Sequence, residues 1–442
     1  MNFSGLKIDG TYASRGSRIA DHLAILMAIS LPWSTTIFGV FTVLWVITLM
    51  TVVEAQQFWA QLRRPACWLP VAVFCLGAIG MLWADAPWAA RTHAAGSMIK
   101  LLAIPLLMHQ FERFGKGLTV FFAFLASCTV LLFLSWWSWF EPQIILAPDK
   151  IPGVPVKNWI TQSVEFVLCI FGSAALAIVM WRKQRRYAAL GFVALALAFL
   201  LNMAFVVSSR TSLVSLPVLL LFSTLRYMGW RRAISLNLAI AVVVALTWFL
   251  APNLRERIYS IQQDYTLRNS EPTSVGLRLE YWTKAIRFIR SAPLAGHGTG
   301  SIRALFEREA IGKTVIGEQI VANPHNQTLY FAIEWGVIGV ILLYAMWITH
   351  FLMFTEMCWT AWLGIIVVSQ NAFDSLFNSH LSDYVEGWIY VLGVGVSAGM
   401  VSKVCKPSMV ALSSGLIHSD DSQIDRSSSS SRHENRNCRE RH

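Results

Sequence analysis

A succession of apolar runs, each close to the length needed to cross a bilayer, leaves this chain few ways to fold. They lie near 22–34, 36–53, 69–83, 98–111, 117–138, 163–181, 188–207, 212–226, 233–250, 326–349, 357–377 and 385–402. Inside lipid the backbone must satisfy its own hydrogen bonds, so only helices and closed barrels span. With 55% hydrophobic and only 14% charged residues over 442 positions, the expected fold is an all-α polytopic membrane protein with about twelve transmembrane helices. Pro32-Trp33-Ser34 separates the first two runs, and one kinked helix there would make eleven.

The net charge of +11 could suggest nucleic acid, but basic residues collect in cytoplasmic loops for topological reasons, and no nucleic-acid partner is expected. Arg63-Arg64, Arg113 with Lys116, the 182–186 cluster, Arg226 with Arg231-Arg232, and Lys403 with Lys406 all fall on one side of the twelve-span layout. That side is expected to be cytoplasmic. The expected organisation is a cytoplasmic N-terminus over 1–21, nine helices over 22–250, a non-cytoplasmic loop over 251–325, three helices over 326–403, and a cytoplasmic tail over 404–442 whose serine-rich, charge-mixed composition reads as disordered. The basic start at Lys7, Arg15 and Arg18 leads into a stretch too long for a cleavable signal, so the first helices are expected to remain.

The 251–325 loop is too long for a simple connector. Its ten basic and seven acidic residues leave it only modestly positive, so particular arginines matter more than bulk charge. Arg278 to Arg290 has helical spacing. Leu279, Trp282, Ile286 and Ile289 share one face, with Arg278, Glu280, Lys284 and Arg287 largely on others, and Ser291-Ala292-Pro293 ends the helix. Such an amphipathic element rests on the bilayer or caps a cavity.

Three motifs on this side could carry chemistry. Ser209-Arg210-Thr211-Ser212 puts a guanidinium at the junction of two apolar spans, where it either snorkels or binds an anion. Arg278, with Tyr281 and Trp282, precedes Gly296-His297-Gly298-Thr299-Gly300, whose glycines read as backbone punctuation and whose histidine reads as positional. Asn323-Pro324-His325-Asn326 directly precedes the tenth span. Pro324 is expected to start that helix and His325 to lie in its first turn, where the helix N-terminus favours the neutral imidazole a general base needs.

The sequence has no nucleophile elbow, P-loop, HExxH or dinucleotide fingerprint, and no cysteine spacing for metal. Neither a cofactor nor a metal is expected, and no carboxylate–histidine cluster is foreseen on the outer side. Two arginines and a histidine suit a different task. Guanidinium forks bind a lipid-linked diphosphate, and an imidazole removes the proton of an attacking hydroxyl.

With Ser209 to Ser212, Arg278 and Trp282, the 296–300 turn, and His325-Asn326 followed by Glu334-Trp335-Gly336-Val337-Ile338-Gly339, the sequence resembles bacterial O-antigen ligases and the related polymerases and O-oligosaccharyltransferases. The hydropathy layout over about 20–403 fits as well. The resemblance implies a GT-C-like, metal-independent glycosyltransferase of the inner membrane with a periplasmic active site. It would move polysaccharide from an undecaprenyl diphosphate donor to the lipid A core. His325 would be the general base, Arg210 and Arg278 would hold the diphosphate, and Asn326, Trp282 and Tyr281 would contact substrate.

An O-antigen polymerase uses the same donor and is the first alternative, with protein O-glycosylation after it. A transporter or flippase would need polar groups at mid-membrane, for which Gln370, Asn371 and Asp374 are the candidates.

Overall fold

The computed structural model describes residues 15–113, 116–144, 151–206, 209–250, 259, 273–311, 319–356 and 358–404. Residues 1–14, much of the 251–325 loop and the tail from 405 lie outside the described residues, and so do the expectations made for them. Every regular element among the described residues is a helix.

The apolar runs become α1 (Arg15–Ser30), α2 (Thr35–Met50), α4 (Pro65–Gly80), the rod of α5 (Trp88–Met98) and α6 (Ala103–Arg113) joined by a 3₁₀ turn, α7 (Gly117–Phe140), α8 (Trp159–Arg182), α9 (Arg186–Phe205), α10 (Arg210–Tyr227), α11 (Trp230–Leu250), α14 (Gln327–Met353), α15 (Trp359–Asp374) and α16 (Tyr384–Val404). Short α3 (Ala55–Leu62) turns away from α2 at 113°. Between α11 and α14 lie α12 (Ser274–Ser291) and α13 (Ile302–Ala310).

Among the described residues, six helices are long and apolar enough to span by themselves, or seven with the bent α2–α3 pair counted as one. Two of the shorter helices are limited by their own sequences: α1 carries Arg15, Arg18 and Asp21, and α15 ends in Gln370, Asn371 and Asp374. The break at Pro32 is a true separation. Ser34 caps α2 by accepting from the Ile37 amide at 3.3 Å, and Trp33 is pinned to Ser127 of α7 at 2.7 Å.

Helix α16 is buried on most of its faces, and α6 packs along it. The two backbones meet at Gly395 and Gly399, where an added Cβ would lie 2.5 Å from Leu107 Cβ and 2.8 Å from the Glu112 amide. Small residues at such crossings let helices gain dispersion contact where lipid removes any hydrophobic drive. Buried polar side chains supply the register. Gln110 joins Trp45 at 2.7 Å to Asp21 at 2.8 Å, and His350 lies between the Tyr390 hydroxyl at 2.6 Å and the Ala66 carbonyl at 2.9 Å.

Helix α12 forms where its periodicity predicts, with Thr273 accepting from the Gly276 amide at its start. Its buried face is rotated from the expected one. Tyr281, Lys284, Ala285 and Phe288 are buried, whereas Leu279 and Ile286 face outward. Tyr281 and Phe288 both pack edge-on against Phe306 of α13, which explains the rotation. Lys284, expected on a polar face, is fully buried, paired with Glu280 at 3.7 Å and lying over the Phe306 ring.

Candidate active site

The site is assembled around a break in α14. At Gly336 the backbone takes φ +61°, ψ −153°, so the helix ladder is interrupted. The glycine turn before α13 fills the gap: His297 N donates to the Ile333 carbonyl and Gly298 N to that of Glu334, both at 2.8 Å, and Val337 N donates to Pro293 O at 2.9 Å. Gly300 N donates to the Glu334 carboxylate at 2.8 Å, and Trp335 Nε1 to Thr299 Oγ1, also at 2.8 Å. Backbone groups released by the break are thereby satisfied inside protein, the condition for irregular chain at membrane depth. Gly296, Gly298 and Gly300 all have positive φ, as their role as punctuation requires. The His297 ring bonds the Phe288 carbonyl at 2.9 Å and Ser291 at 3.1 Å, so it fastens the end of α12 and is positional.

His325 stands two residues before α14, not in its first turn. Helix α14 begins at Gln327 with Asn326 as its N-cap, accepting from the Leu329 amide at 3.0 Å. Pro324 therefore ends the incoming loop, and His325 has φ +54°. A non-glycine residue in that region costs about 1–3 kcal/mol and persists only where its surroundings enforce it. Asn323 Oδ1 accepts from His325 N at 2.8 Å and from Ser379 at 2.6 Å, while Trp282 Nε1 donates to Pro324 O at 3.1 Å. Asn326, expected to meet substrate, gives its Nδ2 to Leu376 O at 2.9 Å and acts as a structural cap.

The imidazole is held from one side. Its Nδ1 lies 2.8 Å from Asn378 Oδ1, and Asn378 Nδ2 donates to Asp383 Oδ2 at 3.0 Å. With Asp383 ionised, its carboxylate makes Nδ2 the group that faces it, so Oδ1 faces the ring and accepts. Nδ1 therefore carries the proton and Nε2 keeps its lone pair. Burial lowers the His325 pKa from its ordinary value, and the Arg278 charge adds to this while the Asn378 bond opposes it. Burial, with Glu386 adding to it and Lys100 opposing, raises Asp383 to about 7.

Of the residues expected from sequence, Tyr281, Trp282 and Arg278 converge on His325. The Tyr281 ring lies 6.2 Å from the imidazole at an interplanar angle of 29°. Arg278, one turn earlier on α12, is near enough for its charge to act on His325 and on His380. Arg210 is the first residue of α10. Its helix start is anchored by Ser209, whose amide donates to Ser163 Oγ on α8 at 3.1 Å and whose hydroxyl accepts from the Ser212 amide at 3.0 Å. The first turn of α8 also bonds the first turn of α16, Thr161 to Glu386 at 2.6 Å, so the backbone of Arg210 lies at the same end of the bundle as Asp383.

Asn378 is the contributor that the sequence reading missed. The 378–384 connection that holds it is short, and its signal was the density of polar residues in Asn378-Ser379-His380-Leu381-Ser382-Asp383. That stretch is fixed by buried Gln327, whose Oε1 accepts from the Leu381 and Ser382 amides at 2.9 and 3.1 Å, and by Lys100, which donates to the Ser382 and Asp383 carbonyls. The carboxylate–histidine cluster not foreseen on this side is also present: ligand atoms of His380, Asp383 and Glu386 lie within 4.8 Å of one another.

The chain is 26% identical over 171 residues to an uncharacterized protein of Haemophilus influenzae, an alignment that covers 37% of this chain and 42% of the relative. Residues 195–344 match a family described as O-antigen ligase. That segment contains Arg210, Arg278, Tyr281, Trp282 and His325, and over it the chain is similar to the O-antigen ligase family.

Proposed function

We propose that this protein is an O-antigen ligase of the bacterial inner membrane, transferring polysaccharide from an undecaprenyl diphosphate donor to the lipid A core on the periplasmic side. The observation that carries this reading is the one-sided hold on His325. Nδ1 is committed to Asn378, so Nε2 is the basic atom, and burial keeps it neutral at the pH of the compartment.

In the proposed reaction Nε2 removes the proton of the acceptor hydroxyl as its oxygen attacks the anomeric carbon opposite the diphosphate. A single displacement of this kind inverts the configuration. Arg210 and Arg278 hold the diphosphate through bidentate bonds that strengthen as its charge develops, so no metal ion is needed on the leaving group. Tyr281 and Trp282 form the wall beside the imidazole and suit the faces of a sugar. A GT-C-like arrangement of twelve crossings, with both termini cytoplasmic and the 251–325 loop periplasmic, completes the reading, and the positive-inside distribution supports it.

Lipopolysaccharide from a strain lacking the gene tests the assignment. A ligase leaves core with no polymer attached. Core bearing one repeat unit would instead make the protein a polymerase, and unaltered lipopolysaccharide would overturn both.

A further inference from the structure

His380 is 1% exposed, and among the described residues neither of its ring nitrogens has a hydrogen-bond partner. An imidazole carries at least one donor, and burying both nitrogens unsatisfied is costly enough to be rare. The ring is directed into a group that could satisfy it. Asp383 and Glu386 follow at intervals of three residues across the start of α16, and one ligand atom from each of the three side chains lies within 4.8 Å of the others.

Each carboxylate is already oriented from outside the group. Asp383 Oδ2 accepts from Asn378 at 3.0 Å and Glu386 Oε1 from Thr161 at 2.6 Å. Bonds of this kind, from a neighbour to the ligand side chain, fix the direction of metal-binding groups. The ammonium of Lys100 spends its hydrogen bonds on the main-chain carbonyls of Ser382 and Asp383, which holds the backbone of the segment without occupying the side chains.

We propose that His380, Asp383 and Glu386 bind one divalent transition-metal ion, Zn²⁺ or Mn²⁺. One imidazole nitrogen with two carboxylate oxygens is the donor set such ions take, whereas Mg²⁺ and Ca²⁺ prefer oxygen alone. The ion would sit behind Asn378 on the side away from the His325 Nε2 position, as a fixed element that holds Asp383 in place. It would not touch the reacting atoms. The site stands independently of the transfer reading.

The test uses the full-length protein in detergent, dialysed against chelator and then titrated with Zn²⁺, Mn²⁺ or Mg²⁺. Bound metal is measured by mass spectrometry and Tm by intrinsic fluorescence. Wild type is expected to take up about one equivalent of Zn²⁺ or Mn²⁺ with a Tm rise of several degrees, and Mg²⁺ to do neither. His380→Ala and Glu386→Gln should each lose the uptake and the rise. If His380→Ala does not accumulate, Glu386→Gln carries the comparison. No uptake by wild type, or uptake and a Tm rise unchanged in the variant, overturns the site. Neither readout depends on transfer activity, so failure here is distinguishable from failure of the proposed reaction.

Discussion

His325 and Asp383 are joined through a single amide: Asn378 accepts from the imidazole at 2.8 Å and donates to the carboxylate at 3.0 Å. The proposed base is thus fixed in both tautomer and angle by a side chain that need not meet substrate. Asn378→Ala is expected to lower kcat by up to about 10²-fold, the loss typical of a misplaced reacting group, with donor KM little changed. Asn378→Asp keeps an acceptor for Nδ1 but sets it against Asp383, so it should rescue only in part. Wild-type kcat in Asn378→Ala would remove this residue from the mechanism.

The three central side chains should separate by assay. His325→Ala is expected to insert, bind donor and lose transfer by about 10²–10⁴-fold, the usual worth of general-base catalysis. Arg210→Ala and Arg278→Ala should weaken donor binding as well as turnover, with lysine a partial substitute lacking the bidentate fork. Near-normal transfer by His325→Ala, or a product with retained anomeric configuration, would refute the single displacement.

The pH profile follows from the direction of the His325 shift. A base must be neutral, so kcat/KM falls as pH drops through the pKa of the free enzyme. Burial places that midpoint below the ordinary value of about 6.5. Arg278 lowers it further, so Arg278→Ala, though slower, should move the midpoint to higher pH. A midpoint that stays put or falls in Arg278→Ala would show that the two charges do not interact.

The helix break makes a prediction for stability. A Cβ at Gly336 would lie 2.3 Å from the Leu294 carbonyl oxygen, in a backbone conformation that favours glycine. Gly336→Ala should cost at least about 1–3 kcal/mol, visible as a lower Tm and poor accumulation. Gly191, in the middle of α9 with nothing within 4 Å of an added Cβ, is the control. Alanine there should be neutral or stabilising by about 0.5–1 kcal/mol. Equal Tm values for the two variants would mean that the break does not constrain the fold.

Orientation is checked by thiol labelling in a cysteine-free background. Ser270→Cys and Ile320→Cys should react with an impermeant reagent in cells with a permeabilised outer membrane, and Gln184→Cys only after lysis. The reverse pattern would place His325 in the cytoplasm and end the proposed reaction.

Much of this fold could be read from the sequence because lipid allows a continuous apolar run only one outcome. The positions of α7, α8, α9 and α14 follow from that constraint. The rotation of α12 was not legible, because its buried face is chosen by Phe306 on another helix. Arg278, Tyr281, Trp282 and His325 stand out in the sequence through chemistry unusual for a loop, and the structure brings them near one another. Their support was not legible, since Asn378 lies 53 positions from His325 and becomes its partner only when Gln327 folds the 375–383 turn back onto the start of α14. Nor was the capping role of Asn326, because a polar residue beside a base resembles a ligand contact and the sequence places the helix start earlier, at Pro324.

The turn lodged in the break of α14 also sets an order of assembly. Residues 293–300 leave the ribosome before 333–337, so the amides that fill the break exist before the carbonyls they serve. Until the turn docks, α14 would carry bare carbonyl groups into lipid, which is strongly unfavourable. Docking of the 293–300 turn and seating of α14 are therefore coupled.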